Sequence, residues 1–329
     1  MNTVIITGAN SGLGFECARA LVATREWYVI PACRTSERGR NAVKRLFAQS
    51  WYKNIEAMVL DLGSLASIRA FAAAYVERTD LPPFTALVCN AGTQVVSEVS
   101  RTADGFEATF GTNHLGHFLL ANLMLRQMTA PARIIFVSSG THNPAETTGM
   151  PPPRFRDARL MAYPERDPEA MAEKPGVFGR RAYSTSKLCN VMCAYEMSRR
   201  LRLEGLSTPE APITVNAFDP GLMPGTGLAR DYSGLARFAW NRVLPILTPV
   251  IPHANTPKRS GRALASLVTD PKLDRTTEKY FRGYKESPSS TESYERDKAA
   301  ALWQASTELV HLTRDETPLK LDIPAASAA

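Results

Sequence analysis

What this sequence lacks narrows its class before any motif is read. It has no run of about 18 uninterrupted apolar residues, the length a membrane-spanning helix needs. The nearest stretch, residues 235–252, is broken by Arg237, Asn241, Arg242 and three prolines. No basic leader precedes the opening Thr3-Val4-Ile5-Ile6-Thr7, so no secretory signal is expected. Concentrated positive charge is missing too. The 39 Lys and Arg against 32 Asp and Glu leave a net +7, yet they are scattered and no basic run exceeds three residues. A nucleic-acid footprint would cluster its charge, so a solvated surface and no nucleic-acid partner are expected. Cysteine is sparse: five, an odd number without metal-ligand spacing, which fits a reducing cytoplasm and no metal site. Cys189 and Cys193 share a helix face, where packing is the expected role.

What is present is an alternation of short apolar strands and helical patterns. The hydrophobic share of 44% and charged share of 22% are those of an ordinary soluble globular chain. A strand over 3–7 runs at once into Thr7-Gly8-Ala9-Asn10-Ser11-Gly12-Leu13-Gly14, with a helix over about 15–24. Glycines so placed permit a tight turn and close approach of backbone to a pyrophosphate, which a helix N-terminus then stabilises. A second strand, 27–33, ends at Arg34. An acidic residue there would bind the ribose hydroxyls of NAD; a guanidinium suits a 2′-phosphate, with Arg38 or Arg40 assisting and Glu37 solvated. The bland alternative is a surface arginine.

The pattern continues with a strand over 55–60, closed by Asp61-Leu62, and a helix from about 64. The Asp61 carboxylate is placed to accept from an adenine amino group. A strand over 84–89 ends in Asn90-Ala91-Gly92, a helix starts near 104 and a strand covers 133–138. Such alternation implies right-handed crossovers and an α/β fold: a Rossmann-type, doubly wound parallel sheet with helices on both faces. Ligands of such sheets lie at the carboxyl ends of the strands, where all these motifs fall. Without an internal repeat or a second apolar core, residues 1–323 read as one domain, followed by a low-complexity, disordered tail at 324–329. Residues 140–182 hold seven prolines and no sustained period, the pattern of a long functional or mobile loop inserted before the next helix. Beyond it come a strand over 213–218, then Asp219-Pro220-Gly221, a helix near 259–268 and a short strand at 279–281. A terminal helix over 292–312 turns Leu302, Trp303, Leu309 and Val310 inward.

Within that frame stands Tyr183-Ser184-Thr185-Ser186-Lys187. Four residues apart on a helix, the phenol and the ammonium share a face, and the cation favours the phenolate. The pair suits acid–base work, although such a spacing alone also arises by chance.

Taken together, Thr7-Gly8…Gly12-Leu13-Gly14, Asp61, Asn90-Ala91-Gly92, Asn113, Ser138-Ser139, Tyr183…Lys187 and Pro220-Gly221 resemble, in order, the short-chain dehydrogenase/reductase family over about residues 3–221. Arg34 points to NADPH or NADP⁺ as cofactor, and the resemblance implies a tetrad of Asn113, Ser139, Tyr183 and Lys187. In it Tyr183 protonates the oxygen of the reduced carbon and Ser139 donates a second hydrogen bond. Lys187 holds the nicotinamide ribose and keeps the phenol acidic, and Asn113 bends its helix and anchors a water. His114 and His117 flank Asn113 without a third ligand, so packing or capping is expected of them rather than metal binding.

Thr112-Asn113-His114-Leu115-Gly116-His117-Phe118, the Tyr183 helix and the long insertion are similar to one branch of that family. The branch holds retinol dehydrogenases, WW-domain oxidoreductases and light-dependent protochlorophyllide reductase. Three departures separate the chain from the photoenzyme pattern: Leu222 in place of a cysteine after Pro-Gly, Ser138-Ser139 in place of Gly-Thr, and Asp219 in place of a tyrosine. A dark reductase or dehydrogenase is therefore expected, with the photoenzyme and an inactive NADP-binding scaffold as alternatives. Leu222, Met223, Leu228, Leu235, Phe238, Trp240, Leu244 and Ile246 make residues 222–256 an apolar substrate lid, suited to a bulky hydrophobic ketone, aldehyde or alcohol. Self-association into a homo-oligomer, or peripheral membrane contact, is the alternative use of the same surface.

Overall fold

The computed structural model describes residues 1–224 and 254–321, together with Asp231, Gly234, Phe238 and Arg242. Leu228, Leu235, Trp240, Leu244 and Ile246 of the expected lid, and the expected tail, lie outside the described residues. Of the remaining lid positions, Leu222 and Phe238 are exposed, while Met223 packs on the core.

Apolar strands and amphipathic helices alternate as β1 (Asn2–Thr7), α1 (Gly12–Thr24), β2 (Trp27–Cys33), α2 (Ser36–Ser50), β3 (Met58–Val59), α3 (Leu65–Val76) and β4 (Phe84–Cys89). A short α4 (Ala108–Phe110), a π turn at Gly111–Leu115 and α5 (Gly116–Met124) form one irregular helix leading to β5 (Met128–Val137). After the insertion come α8 (Pro175–Leu203) and β6 (Ile213–Asp219). The described residues end with α9 (Pro257–Thr269), β7 (Tyr280–Arg282), β8 (Lys285–Ser287) and α10 (Arg296–Leu309). The strands form one sheet in the order β3-β2-β1-β4-β5-β6-β7-β8. All neighbours are parallel except β7 and β8. Each face buries its own apolar layer. One is built on α3, α5, α8 and α10 with Phe118, Leu188 and Trp303; the other on α1 and α9 with Leu21, Val22 and Leu264.

Several boundaries differ from those expected, each for a local reason. The third strand shrinks to Met58–Val59, with Ile55 forming only an isolated bridge to Val29. It lies at the sheet edge, and Glu56 is drawn outward to Arg78 and Tyr28. The helix expected from 104 begins at Ala108 because Asp104 caps α3 instead, its Oδ2 accepting from the Leu65 N–H at 2.8 Å. The buried Glu107 carboxylate then caps α4 by accepting from Thr109 and Phe110.

The segment 140–182 is not a loop throughout. It holds α6 (Ala158–Ala162), α7 (Pro168–Met171) and the start of α8. Two of its prolines begin α-helices: Pro168 and Pro175 occupy first-turn positions, where a missing N–H costs no hydrogen bond. The expected terminal helix divides into a 3₁₀ turn at Thr291–Tyr294 and α10. The antiparallel β8 was not expected; a turn at Gly283, with φ of +58°, folds it back on β7.

The contact between α1 and α9 fixes the helix that follows the glycine loop. A Cβ on Gly261 would stand 2.4 Å from Glu16 Cβ and 2.8 Å from the Cys17 backbone nitrogen. Gly261→Ala is expected to destabilise the fold by about 1–3 kcal/mol through overpacking. Thermal denaturation checks this, and an unchanged midpoint would refute so tight a contact.

Candidate active site

The glycine loop leaves β1 and opens α1 earlier than expected, so that Gly12, Leu13 and Gly14 form the first helical turn. Ser11 at the N-cap makes no side-chain cap bond, and the first turn carries no acidic residue. The first N–H groups are thus presented to an anion. A Cβ at Gly14 would fall 2.4 Å from Asn90 Nδ2, so this glycine allows the Asn90 loop to close on the helix. The same Asn90 Nδ2 donates to the Thr7 carbonyl at 2.7 Å. Thr7 Oγ1 accepts from the Asn90 and Ala91 N–H groups at 2.8 and 2.9 Å. One hydroxyl therefore ties together the ends of β1 and β4.

The other cofactor candidates differ in role. Arg34 is exposed at the end of β2, and the Gly8 N–H donates to Ala32 O at 2.8 Å, which sets that strand end beside the glycine loop. Arg38 is exposed, whereas Arg40 donates to Ser36 Oγ. Arg45, missed in the sequence, donates to the Asn10 carbonyl at 3.1 Å and lies 3.9 Å above the Phe15 ring. Its seven-residue spacing from Arg38 on α2 was the available signal. Asp61 turns Oδ1 onto the Gly63 N–H at 3.0 Å. Leu62 is buried, and a Cβ on Gly116 would stand 3.0 Å from its own Cβ, so its side chain belongs to the core. Pro220 accepts through its carbonyl from Ser260 at 2.7 Å and Asn255 at 3.1 Å, and the Gly221 N–H donates to Asp219 Oδ1 at 2.8 Å.

The four residues expected to act together converge on the end of β5. Lys187 is 3% exposed, and its Nζ donates to the Val137 carbonyl at 3.1 Å. The same nitrogen lies 5.4 Å from the centre of the Tyr183 ring, one turn earlier on α8. Burial pushes the ammonium pKa down to about 8, partly opposed by the charge of Asp219. A Cβ on Gly92 would stand 3.6 Å from Lys187 Nζ and 3.5 Å from Asn113 Oδ1, so the β4 end, α8 and the π turn meet at one point. Asn113 accepts from the Thr93 N–H at 2.7 Å and donates to Thr93 O and Ser186 Oγ at 2.9 and 3.0 Å. Ser138 is buried, with Oγ donating to Lys187 O at 2.8 Å. Ser139 is half-buried and caps the turn at Gly140–His142.

The two histidines beside Asn113 bind different partners. His114 meets Ser306 Oγ at 2.9 Å. His117 Nδ1–H donates to Asn113 O at 2.9 Å, which leaves Nε2 to accept from the Thr7 hydroxyl at 2.9 Å. Burial holds His117 neutral, its pKa pushed down to about 4.

The arrangement can therefore seat a dinucleotide along the strand ends and present a phenol beside a buried ammonium. That combination defines a nucleotide-dependent oxidoreductase of the doubly wound α/β class. Comparison with known proteins places it further. The short chain dehydrogenase family model matches residues 2–149. Protochlorophyllide reductase of Daucus carota is 35% identical over 94% of this chain and 78% of its own length. The WW domain-containing oxidoreductase of Gallus gallus is 34% identical over 93% of this chain and 67% of its own. Among solved structures, an actinorhodin polyketide ketoreductase with NADPH superposes with a TM-score of 0.60 at 22% identity, covering 85% of this chain and 95% of that one. The chain belongs to the short-chain dehydrogenase/reductase family and is an oxidoreductase of that family.

Thr7→Val keeps the shape of residue 7 but removes an acceptor from two backbone N–H groups, leaving Asn90 N–H only Val88 O at 3.0 Å and Ala91 N–H without its Thr7 partner. It is expected to cost about 1–3 kcal/mol of stability, with weaker nucleotide binding, while Thr7→Ser restores both. Denaturant unfolding and cofactor titration check this; equal behaviour of the valine and serine variants would contradict it.

Proposed function

We propose that this protein transfers hydride between NADP(H) and a bulky hydrophobic carbonyl–alcohol pair, without light. The observation that carries the reading is the buried Lys187 ammonium held on Val137 O one helical turn from Tyr183. The residues fit the cofactor: the uncapped α1 start suits the pyrophosphate, and exposed Arg34 suits a 2′-phosphate. When bound, the nicotinamide supplies the hydride. The protein's own part is proton handling and position. The Tyr183 hydroxyl donates a proton to the substrate oxygen as negative charge develops there, and Ser139 donates a second hydrogen bond to the same atom. The Lys187 ammonium favours the phenolate left behind. Asn113, clamped between Thr93 and Ser186, holds the π turn against Lys187.

Similarity to protochlorophyllide reductase supports a second, light-dependent reading. Leu222 argues against it, because a leucine after Pro220-Gly221 offers no proton to a reduced pigment. A carbonyl substrate needs no such donor, since its own oxygen takes the proton from Tyr183.

Two outcomes are expected. Arg34→Ala should raise the NADPH Michaelis constant about tenfold or more, the loss of a charge-assisted contact of about 1.5–3 kcal/mol, while use of NADH changes little. Equal use of both cofactors by the unaltered protein would refute NADP preference. Tyr183→Phe should abolish turnover of hydrophobic carbonyls in darkness yet bind NADPH normally, and Lys187→Ala should lose both turnover and affinity. A screen of carbonyls and alcohols, with a parallel protochlorophyllide assay under a lamp, checks this. Light-dependent pigment reduction above the Tyr183→Phe control would favour the second reading.

A further inference from the structure

The ends of β5 and β6 meet at a charged cluster that the tetrad does not include. Asp219, the last residue of β6, is 2% exposed. Its Oδ1 accepts from the Gly221 N–H at 2.8 Å, and its Oδ2 accepts from the Tyr280 hydroxyl at 3.0 Å and Arg282 Nε at 3.2 Å. Arg282 also pairs with Glu146 of the insertion. Gly140, next to Ser139, lies against both acids: a Cβ there would stand 2.8 Å from Glu146 Oε2 and 3.4 Å from Asp219 Oδ2. His142 joins the group as a neutral ring. The Ser290 N–H donates to its Nε2 at 3.0 Å, so its Nδ1–H donates to Ser139 O at 2.7 Å.

Strand register ties this cluster to Lys187. Phe218 pairs with Val137, whose carbonyl accepts from the Lys187 ammonium, and Asp219 is the next residue of β6. Two carboxylates and one guanidinium give the cluster a net charge of −1. The described side chains shown beside the ammonium are neutral: Asn113 from the π turn, His117 from α5 and the Tyr183 phenol on its own helix. A buried ammonium without a counter-charge is costly.

We propose that Asp219 is a positioning residue of the catalytic site, in which its carboxylate, set by Arg282 and Glu146, supplies the negative charge that keeps Lys187 an ammonium. This rests on the roles proposed above for Tyr183 and Lys187. The electrostatic contribution of Asp219 to Lys187 agrees in sign. Asp219 also holds Gly221 through its N–H.

A role in charge predicts opposite effects from neighbouring substitutions, which a role in packing does not. Removing a negative charge lowers the pKa of Lys187; removing a positive charge raises it. Lys187 ionisation is followed across pH, without substrate and in the Tyr183→Phe background, by the NMR chemical shift of its isotope-labelled side chain, each protein against the same protein carrying Lys187→Met. Asp219→Asn should move the titration about one unit to lower pH, and Arg282→Gln should move it to higher pH. The double variant, which restores a net charge of −1, should return near the unaltered protein. Glu146→Gln should move it as Asp219→Asn does, but less. Single shifts in the same direction, no shift, or a double variant no nearer the starting value would overturn the proposal. If Tyr183→Phe retains turnover, the catalytic reading falls whatever the titration shows. If Tyr183→Phe is inactive while the titration stays fixed, only the role of Asp219 falls.

Discussion

The site depends on holding a lysine ammonium inside the protein. Lys187 is buried, and α8 must therefore be fastened to the end of β5 with little freedom. Three side-chain bonds do this. Lys187 Nζ and Asn190 Nδ2 both donate to Val137 O, and Ser138 Oγ donates back to the Lys187 carbonyl. A hydrogen bond from a charged donor contributes about 1.5–3 kcal/mol, the largest share of that attachment. Because Tyr183 is on the same helix face, fixing the lysine also fixes the phenol.

From that attachment a chain of hydrogen bonds runs back to the glycine loop. Thr7 donates to His117, His117 to Asn113 O, the Asn113 amide to Ser186, and the Ser186 hydroxyl to the Tyr183 carbonyl. Each member is buried and each polar group on the path has a partner, so the path resists displacement at any one point. The element that begins the glycine loop and the element that carries the phenol are thereby held in one frame.

Much of this was legible in the sequence because it depended on local rules. β2 and β4 begin and end where apolar runs begin and end, and Tyr183 and Lys187 share a face because a helix repeats every 3.6 residues. What escaped notice depended on distant partners. Asp104 reads as a helix start until Leu65, 39 positions earlier in the chain, takes its carboxylate. Pro168 and Pro175 read as loop residues until they are seen at first-turn positions. His142 carries no periodic signal, and its bond to Ser290 spans 148 residues. Asp219 was noted only as a departure from the photoenzyme pattern; its partners Arg282 and Glu146 come from a short strand and from the insertion.

The two margins of the sheet carry a consequence for how copies of this protein can meet. One margin is β3, two residues long, and the other is β8, whose Lys285 and Glu286 are exposed and charged. A strand added to either would gain few main-chain bonds and would face charge, the arrangement by which natural sheets resist growth from molecule to molecule. Among the described strands, self-association by sheet extension is therefore disfavoured at both ends.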